Sequence, residues 1–185
     1  MADSKNGKGK AADKAVPDKS AQAKAGATPP PVHAQVVGQY IKDLSFENPN
    51  VEKLIDGPGE NPNLKLEVNV NAKRVGTDLY ESAIDFKAVA TNKLGTIYDL
   101  ECVYAGLFRI QNLPEEALEP FLLINCPSIL FPFLRRLVAD ITREGGFPPL
   151  LLDPIDFSSL FVRRQQEMAA GQSIVGDGGA PKLKA

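Results

Sequence analysis

Few residues in this chain have side chains suited to nucleophilic or metal chemistry. The sequence contains one histidine, His33, close after three consecutive prolines, and two cysteines, Cys102 and Cys126. The cysteines are expected to be buried free thiols, with a disulfide between them as the alternative. A histidine-based catalytic triad or proton relay is therefore not expected. One histidine and two separated cysteines also cannot supply the four ligands of a closed zinc site. The sequence predicts no catalytic residue, no metal site and no cofactor-binding site.

Motifs that indicate an enzyme are absent from the sequence. There is no G-x-S-x-G elbow, no Walker loop and no dinucleotide glycine fingerprint. The chain is therefore predicted not to be an enzyme. An enzyme that uses acidic residues in a cleft is the alternative.

Acidic side chains form the most regular polar pattern. They alternate with apolar residues along predicted strands, which is typical of a solvated sheet face rather than of a catalytic carboxylate pair. An acidic sheet face is suited to a basic partner. The acids of this face are Asp43, Glu47, Glu67, Glu81, Asp85, Asp99 and Glu101, against the bases Lys65, Lys73, Lys87 and Arg109.

The charge distribution divides the chain into segments. The net charge is −2, but residues 1–32 contain six lysines and three aspartates and so carry +3. This segment has almost no large apolar side chains to offset its ordering entropy, so we expect a disordered basic tail over residues 1–35. A folded domain is predicted for residues 36–166 and a second disordered tail for residues 167–185.

The sequence predicts neither a secretory signal nor a membrane span. No apolar segment follows the first residues, as it would in a secretory signal, and the chain is predicted to be cytoplasmic. No window holds the roughly 18 uninterrupted apolar residues of a membrane span, so direct membrane insertion is not expected. The alternative function of the basic tail is an electrostatic arm for a membrane or a nucleic acid. Its lysines are mixed with aspartates and lack aromatic neighbours, which argues against this role and against a nucleic-acid partner.

Four segments have the alternating pattern of strands that are buried on one side. They cover residues 36–47, 64–74, 80–88 and 96–110. In the first segment, Tyr40, Leu44 and Phe46 are predicted to share the apolar face. Short turns join the last three strands, which implies antiparallel pairing, whereas residues 48–63 form a long connection. Strands followed by helices indicate an α+β fold.

The longest apolar helical pattern covers residues 126–146. Its apolar residues at helical spacing are Leu130, Leu134, Leu137, Val138 and Ile141. The prolines predict that the regular helix begins near Pro132 or is kinked there, and Gly145 favours its end. One interpretation is a buried core helix. The other is that Ile129, Leu130, Phe131 and Phe133 exceed the needs of one core and contact a second chain.

The chain has more apolar residues than one four-stranded sheet needs. After the central helix come an apolar, proline-rich loop and a final helix that Asp156 is predicted to cap. A surplus of this kind indicates oligomer contacts together with exposed grooves. The residues assigned to the grooves are Val51, Leu54, Ile55, Phe147, Leu150, Phe157 and Phe161. The pattern alone thus predicts an oligomeric binding module.

Three stretches resemble the SecB family of bacterial protein-export chaperones. Residues 40–50 read YIKDLSFENPN, residues 126–133 read CPSILFPF, and residues 146–161 read GFPPLLLDPIDFSSLF. With the strand pattern, the resemblance covers about residues 36–166. It implies a four-stranded antiparallel sheet in Greek-key order, with residues 48–63 as a crossover loop, a long central helix and a C-terminal helix.

The resemblance also implies partners and an assembly. The family forms homotetramers that are dimers of dimers, binds unfolded precursor proteins and passes them to the SecA ATPase. Acids on the outer sheet face of the family dock SecA, a role that the motif match gives to Asp43 and Glu47 and the strand alignment gives to Glu101. Asp99 is placed in the same acidic face, at a position where the family often has an apolar residue. The expected oligomer interface comprises Leu100, Cys102 and Tyr104 of the last strand and Leu134, Leu137, Val138 and Ile141 of the central helix.

Together these observations predict an ATP-independent molecular chaperone. It would keep precursors unfolded and competent for translocation by binding the unfolded state preferentially, and would deliver them to SecA. The alternative is a SecB-like binding module that serves a dedicated partner, as an antitoxin-type chaperone does, rather than general export.

Overall fold

The computed structural model of the chain describes residues 31–54 and 62–175, except for the side chains of residue 54 and residues 171–175. Its strands are β1 (His33–Glu47), β2 (Asn63–Gly76), β3 (Leu79–Asn92) and β4 (Gly95–Gln111). Its helices are α1 (Glu115–Pro120), α2 (Cys126–Glu144) and α3 (Phe157–Val175), with a 3₁₀ turn (Val51–Leu54) after β1 and a π-helical turn (Phe121–Asn125) between α1 and α2. Most of the tails predicted for residues 1–35 and 167–185 lies outside the described residues, although α3 continues past residue 166.

The four strands form one antiparallel sheet in the order β1-β4-β3-β2. The strands β2, β3 and β4 pair with their sequence neighbours, whereas the connection after β1 crosses over and places β1 beside β4. This Greek-key order confirms the predicted fold class. At the turn between β2 and β3, Asp78 has a φ of 54°, a left-handed conformation that aspartate tolerates better than most residues.

Strand β1 contains two bulges that its sequence pattern does not reveal. Its register with β4 shifts at Val37 and again at Lys42. Each extra residue reverses the set of side chains that faces outward. Tyr40 therefore lies on the outer face, and the prediction that it shares the apolar face with Leu44 and Phe46 is wrong.

Helix α2 covers the inner face of β3 and β4. Its residues Leu130, Leu134 and Val138 are 0% exposed and belong to one apolar cluster with Ile84 and Leu100 of the sheet. Burying one such side chain contributes about 1.5–3 kcal/mol to stability. The buried side of α2 is therefore a core surface, as the first interpretation of this helix predicted. Leu130 and Phe131, at 0% and 8% exposed, lie in this chain's own core rather than on a surface for a second chain.

The inner faces of the two edge strands are covered less well, because α2 lies on the two central strands. Apolar residues therefore remain exposed on both edge strands. Others are exposed on the side of α2 that faces away from the sheet. These exposed residues are Val36, Ile41 and Leu44 on β1, Leu64 and Leu66 on β2, and Ile129 and Phe133 on α2.

The π-helical turn before α2 has a local cause. The Cys126 N–H donates to the Phe121 carbonyl five residues earlier, and Pro127 has no N–H to donate. The Leu122 carbonyl is therefore left without a helical partner. The buried Ser82 hydroxyl of β3 donates to this carbonyl at 2.9 Å, which attaches the start of the helix to the sheet.

The continuous helical run Glu115–Glu144 is long and apolar enough to cross a membrane, judged by length and composition alone. Core helices that pack against a sheet pass the same test, and this run packs against the sheet through Leu134 and its neighbours.

Regular α-helix begins at Cys126, ahead of Pro132, and continues through that proline.

Helix α3 is held by a cap at its start and by one bond from Arg164. Asp156 Oδ1 accepts the backbone N–H groups of Ser158 at 3.0 Å and Ser159 at 3.1 Å, which confirms the predicted cap. Arg164 Nη1 donates to the Val70 carbonyl at 2.7 Å. This bond attaches α3 to the edge strand β2.

Candidate functional site

The outer face of the sheet brings the four predicted docking acids together. Glu47 of β1 lies directly opposite Asp99 of β4, with Glu101 two positions along β4 and Asp43 next to the Lys42 bulge. Directly opposed residues on antiparallel strands have Cβ atoms about 5 Å apart. We call Asp43, Glu47, Asp99 and Glu101 the acidic patch.

Lys87 of β3 partly neutralises the acidic patch. Its ammonium group forms ion pairs with Glu101 and, at 3.5 Å, with Asp99. The hydrogen bond to Glu101 is the main reason that the pKa of Lys87 is raised. Among the described residues, Asp43 and Glu47 have no ion pair. The negative charge that is free for a partner is therefore greatest on the β1 side of the patch.

Glu81 belongs to the same face but is not free for a partner. It is 8% exposed; it accepts hydrogen bonds from the Tyr40 hydroxyl at 2.6 Å and Lys42 Nζ at 2.7 Å, and Lys73 Nζ lies 3.4 Å away. The bond from Lys42 is the largest cause that lowers the pKa of Glu81 to about 2, and the bond to Glu81 is the largest that raises the pKa of Tyr40 to about 12. Sequence reasoning placed Glu81 on the correct face but could not foresee these partners, since Tyr40 and Lys42 are about 40 residues away.

Three aromatic rings lie in a row on the inner face, at one end of β1 and β4. The Phe46 and Tyr98 rings stack with centroids 5.7 Å apart, and Tyr98 contacts Phe147 with centroids 5.2 Å apart. We call these residues the aromatic row. Asn50 Nδ2 donates to the Thr96 carbonyl at 2.9 Å, so the 3₁₀ turn that follows Asn50 is anchored at the same end of the sheet.

The segment after α2 is held beside the aromatic row by Thr142, which is 0% exposed. Thr142 Oγ1 accepts the Leu150 N–H at 2.9 Å, and its backbone carbonyl accepts the Phe147 N–H at 3.1 Å. Gly145 packs so closely on Phe46 that an added Cβ would lie 2.5 Å from Cε1 of that ring. Phe147 and Leu150 are therefore fixed, half-buried, next to the row.

The predicted groove residues occupy more than one place. Phe147 and Leu150 adjoin the aromatic row, and Val51 is 54% exposed in the 3₁₀ turn. Phe157 is 3% exposed and contacts the Phe131 ring edge-on at 6.0 Å. In this chain Phe157 is therefore a core residue, with little surface to offer a ligand.

Phe161 lies at the other edge of the sheet. With Val68, Leu123 and Leu160 it lines a cavity of about 390 Å³ beside β2, whereas the aromatic row lies on β1 and β4. The side chain of Leu54 is not described, and the predicted groove residue at position 55 lies outside the described residues.

Sequence reasoning assigned no site role to Phe46, Tyr98 or Leu151. Phe46 and Tyr98 have the pattern of ordinary core residues, and only the fold places their rings at the end of the sheet. Leu151 is 69% exposed, next to Leu150. Its exposure had no sequence signal beyond the run of leucines in which it lies.

The predicted oligomer residues differ in burial. Four are at most 2% exposed because they fill the core between the sheet and α2, namely Leu100, Cys102, Leu134 and Val138. These side chains have no accessible surface for contact with a second chain. They can affect an interface only by supporting the residues that form it. The three that are partly exposed are Tyr104, Leu137 and Ile141. On the outer side of α2, Ile129 and Phe133 are 42% and 48% exposed.

The two cysteines are buried free thiols, as the sequence indicated. Burial is the main cause that raises the pKa of Cys102 to about 11 and that of Cys126 to about 12. Both thiols are therefore protonated and unreactive at neutral pH. Within the part of the chain that the structure describes, no group of three histidine, cysteine or acidic side chains is placed to hold a metal ion.

The strand order and helix positions define a SecB-like chaperone fold. The solved structure of the SecB-like chaperone Rv1957 of Mycobacterium tuberculosis, in complex with a ChAD peptide from the Rv1956 HigA1 antitoxin, matches with a TM-score of 0.54. The match covers 66% of this chain and 90% of that one at 18% sequence identity. It establishes the likeness of the fold.

Sequence comparison establishes the family. The family model for preprotein translocase subunit SecB matches residues 27–168. The protein-export protein SecB of Xanthobacter autotrophicus is 46% identical over 139 residues, which are 75% of this chain and 88% of that protein. The corresponding protein of Afipia carboxidovorans is 44% identical over 157 residues, 84% of this chain and 95% of that protein. The chain belongs to the SecB family of protein-export chaperones, which confirms the predicted family and function.

Proposed function

We propose that this chaperone holds unfolded precursor proteins without ATP and delivers them to SecA, working as a homotetramer in the cytoplasm. The observation that supports this most strongly is the placement of two different surfaces on opposite faces of one sheet. The aromatic row lies on the inner face and the acidic patch on the outer face. One chain can therefore contact an apolar client and a basic partner at the same time.

The client surface is proposed to be the two half-buried rings of the aromatic row, Phe46 and Phe147, with Leu150, Leu151 and Val51 around them. Tyr98 is only 7% exposed and supports these rings by packing against both. Unfolded chains expose aromatic and aliphatic side chains that folded proteins bury, and an apolar groove with fixed rings favours such side chains. Binding the unfolded state preferentially shifts the folding equilibrium by mass action. Holding therefore needs no nucleotide, in agreement with the absence of a nucleotide motif from the sequence.

A tetramer would strengthen this binding. It presents several copies of the groove, so a long client that occupies one groove meets the next at a high effective concentration. The apolar residues that α2 and β1 leave exposed, among them Ile129, Phe133 and Ile41, support contacts between chains.

An assembly test follows from the burial of α2. A charge at Val138 would disrupt the chain's own core, whereas Phe133→Asp alters an exposed position. We expect Phe133→Asp to reduce the mass in sedimentation experiments while the far-ultraviolet circular dichroism stays unchanged. The control Arg135→Asp, at another exposed position of α2, should stay tetrameric. If Phe133→Asp also stays tetrameric, the outer side of α2 is not an interface.

The docking surface is proposed to be the acidic patch, strongest at Asp43 and Glu47. Complementary charge raises the association rate and fixes the orientation of a basic partner. Charge reversal of Asp43, Glu47 and Glu101 to lysine should abolish SecA binding and leave client binding intact.

A matched control for this triple variant lies on α1. Glu115, Glu116 and Glu119 are exposed, and their replacement by lysine gives the same change in net charge away from the patch. Calorimetric titration with SecA should show lost binding only for the patch variant. Equal SecA affinity for both variants would rule out the proposed dock. The high identity to proteins named for export favours this function over service to a dedicated antitoxin.

A further inference from the structure

The extra residue Lys42 decides which face of the sheet carries the docking acids. Before the bulge, Tyr40 faces outward opposite Ala105; after it, Asp43 faces outward opposite Val103. Strict alternation from Tyr40 would instead turn Asp43 inward, because successive side chains of a strand point to opposite faces. The bulge therefore brings both Lys42 and Asp43 to the outer face.

The same bulge also sets the two faces of the rest of β1. Beyond it, Glu47 faces outward and Phe46 faces inward towards the aromatic row. A one-residue slip would exchange these two side chains. The position of the bulge thus matters for both proposed surfaces at once.

Glu81 holds the bulge from two strands away. It lies on β3, and β4 separates β3 from β1. The side chains of Tyr40 and Lys42 must therefore cross β4, where the residue opposite Tyr40 is the small Ala105, which is 0% exposed. Both end on the Glu81 carboxylate, at 2.6 Å and 2.7 Å.

A fourth side chain also contacts the Glu81 carboxylate. Lys73 of β2 lies opposite Glu81, with its Nζ 3.4 Å from the carboxylate. One carboxylate therefore links β1, β2 and β3 across the outer face. Its pKa of about 2 keeps it ionised throughout the neutral range.

We infer that Glu81 is a positioning residue for SecA docking, which holds Lys42 and Tyr40 so that the bulge turns Asp43 and Glu47 outward. This inference rests on the proposed docking function. Glu81 itself is too buried to contact the partner, so its effect passes through the conformation of β1.

The test uses a variant that leaves the net charge unchanged. Lys42→Gln combined with Glu81→Gln removes one positive and one negative charge from the outer face, so a purely electrostatic account predicts no change in SecA affinity. We expect SecA to bind about tenfold more weakly, as for the loss of one charge-assisted hydrogen bond. Client affinity should change far less, and amide hydrogen exchange over residues 40–47 should become faster.

The control is the exposed pair Lys65 and Glu67, joined at 2.6 Å on the same face. Its double glutamine variant has the same change in charge and should bind SecA like the wild type. Tyr40→Phe, a milder change with no change in charge, should show a smaller loss and faster exchange over the same residues. The single variant Lys42→Arg retains a cation for Glu81 and should keep most of the wild-type affinity for SecA.

The outcomes separate this inference from the docking proposal. If the lysine variants of the acidic patch lose SecA but the Lys42 and Glu81 double variant binds like its control, Glu81 does not position the dock. The inference is also overturned if exchange over residues 40–47 is unchanged in both the double variant and Tyr40→Phe. If the acidic-patch variants bind SecA normally, the docking proposal fails, and the inference fails with it.

Discussion

Replacing Gly145 by alanine should disturb the aromatic row from a position outside it. Gly145 has a φ of −72°, which alanine adopts without strain, so the effect is purely steric. The new Cβ would lie 2.5 Å from Cε1 of Phe46 and closer still to its Cζ. Carbon atoms prefer to be about 3.5–4.0 Å apart, so the ring must move by about 1 Å.

The displacement has a predictable size and direction. Phe46 stacks on Tyr98, which in turn contacts Phe147, so a shift of the first ring is passed to the others. Overpacking of this kind costs about 1–3 kcal/mol, and the lower entropy of the unfolded alanine chain offsets about 0.4–1 kcal/mol of it. We expect a net loss of roughly 1–2 kcal/mol in the free energy of unfolding and about fivefold weaker client binding, equivalent to about 1 kcal/mol.

The assay is a fluorescence anisotropy titration with a labelled unfolded client, together with urea unfolding. The chain contains no tryptophan, so the label carries the signal without interference. Gly146→Ala is the matched control. Gly146 has a φ of +87° and no atom within 4 Å of an added Cβ, so alanine there costs about 1–2 kcal/mol of backbone strain without moving Phe46. Wild-type client affinity in Gly145→Ala, or an equal loss in both variants, would refute the placement of the row in the client surface.

Three further predictions concern the sheet. Lys87→Gln removes a cation beside the acidic patch and should tighten SecA binding about two- to fivefold at low salt, with the gain lost at high salt; calorimetry that shows no gain at low salt would contradict this. Ser82→Ala leaves the buried Leu122 carbonyl unpaired and should lower the free energy of unfolding by about 1–3 kcal/mol in urea titrations; unchanged stability would mean that this bond is not needed. The folded-state pKa of Glu81 is depressed from 4.5 to about 2, so its stabilisation is complete above pH 4.5 and is lost as the pH falls towards 2. Glu81→Gln should therefore be less stable than the wild type by on the order of 2 kcal/mol at pH 7, and a difference that does not shrink below pH 4.5 would contradict the assignment.

Local patterns predicted much of the fold. The alternation along β2, β3 and β4 places their polar and apolar residues correctly, because side-chain direction in a regular strand depends only on position. Asp156 was identified as a cap for the same reason, since capping depends on residues only two or three positions away. The family motifs then supplied the Greek-key order, which no local signal contains.

Long-range contacts account for what the sequence did not reveal. The bulge at Lys42 is stabilised by Glu81, a residue on a strand that is not even adjacent, so the pattern of β1 alone assigned Tyr40 to the wrong face. The same limit applies to α2. Helical spacing identified Leu134 as apolar, but only the packed structure shows that it fills the core of its own chain while Phe133 remains exposed.

The most direct test of the account is the native mass of the chaperone mixed with an unfolded precursor in the absence of nucleotide. We expect one complex, in which a tetramer holds the precursor, and no complex with the same precursor once it has folded. A mass that the unfolded precursor leaves unchanged, or equal binding of the folded form, would contradict the claim that this chain holds unfolded clients passively.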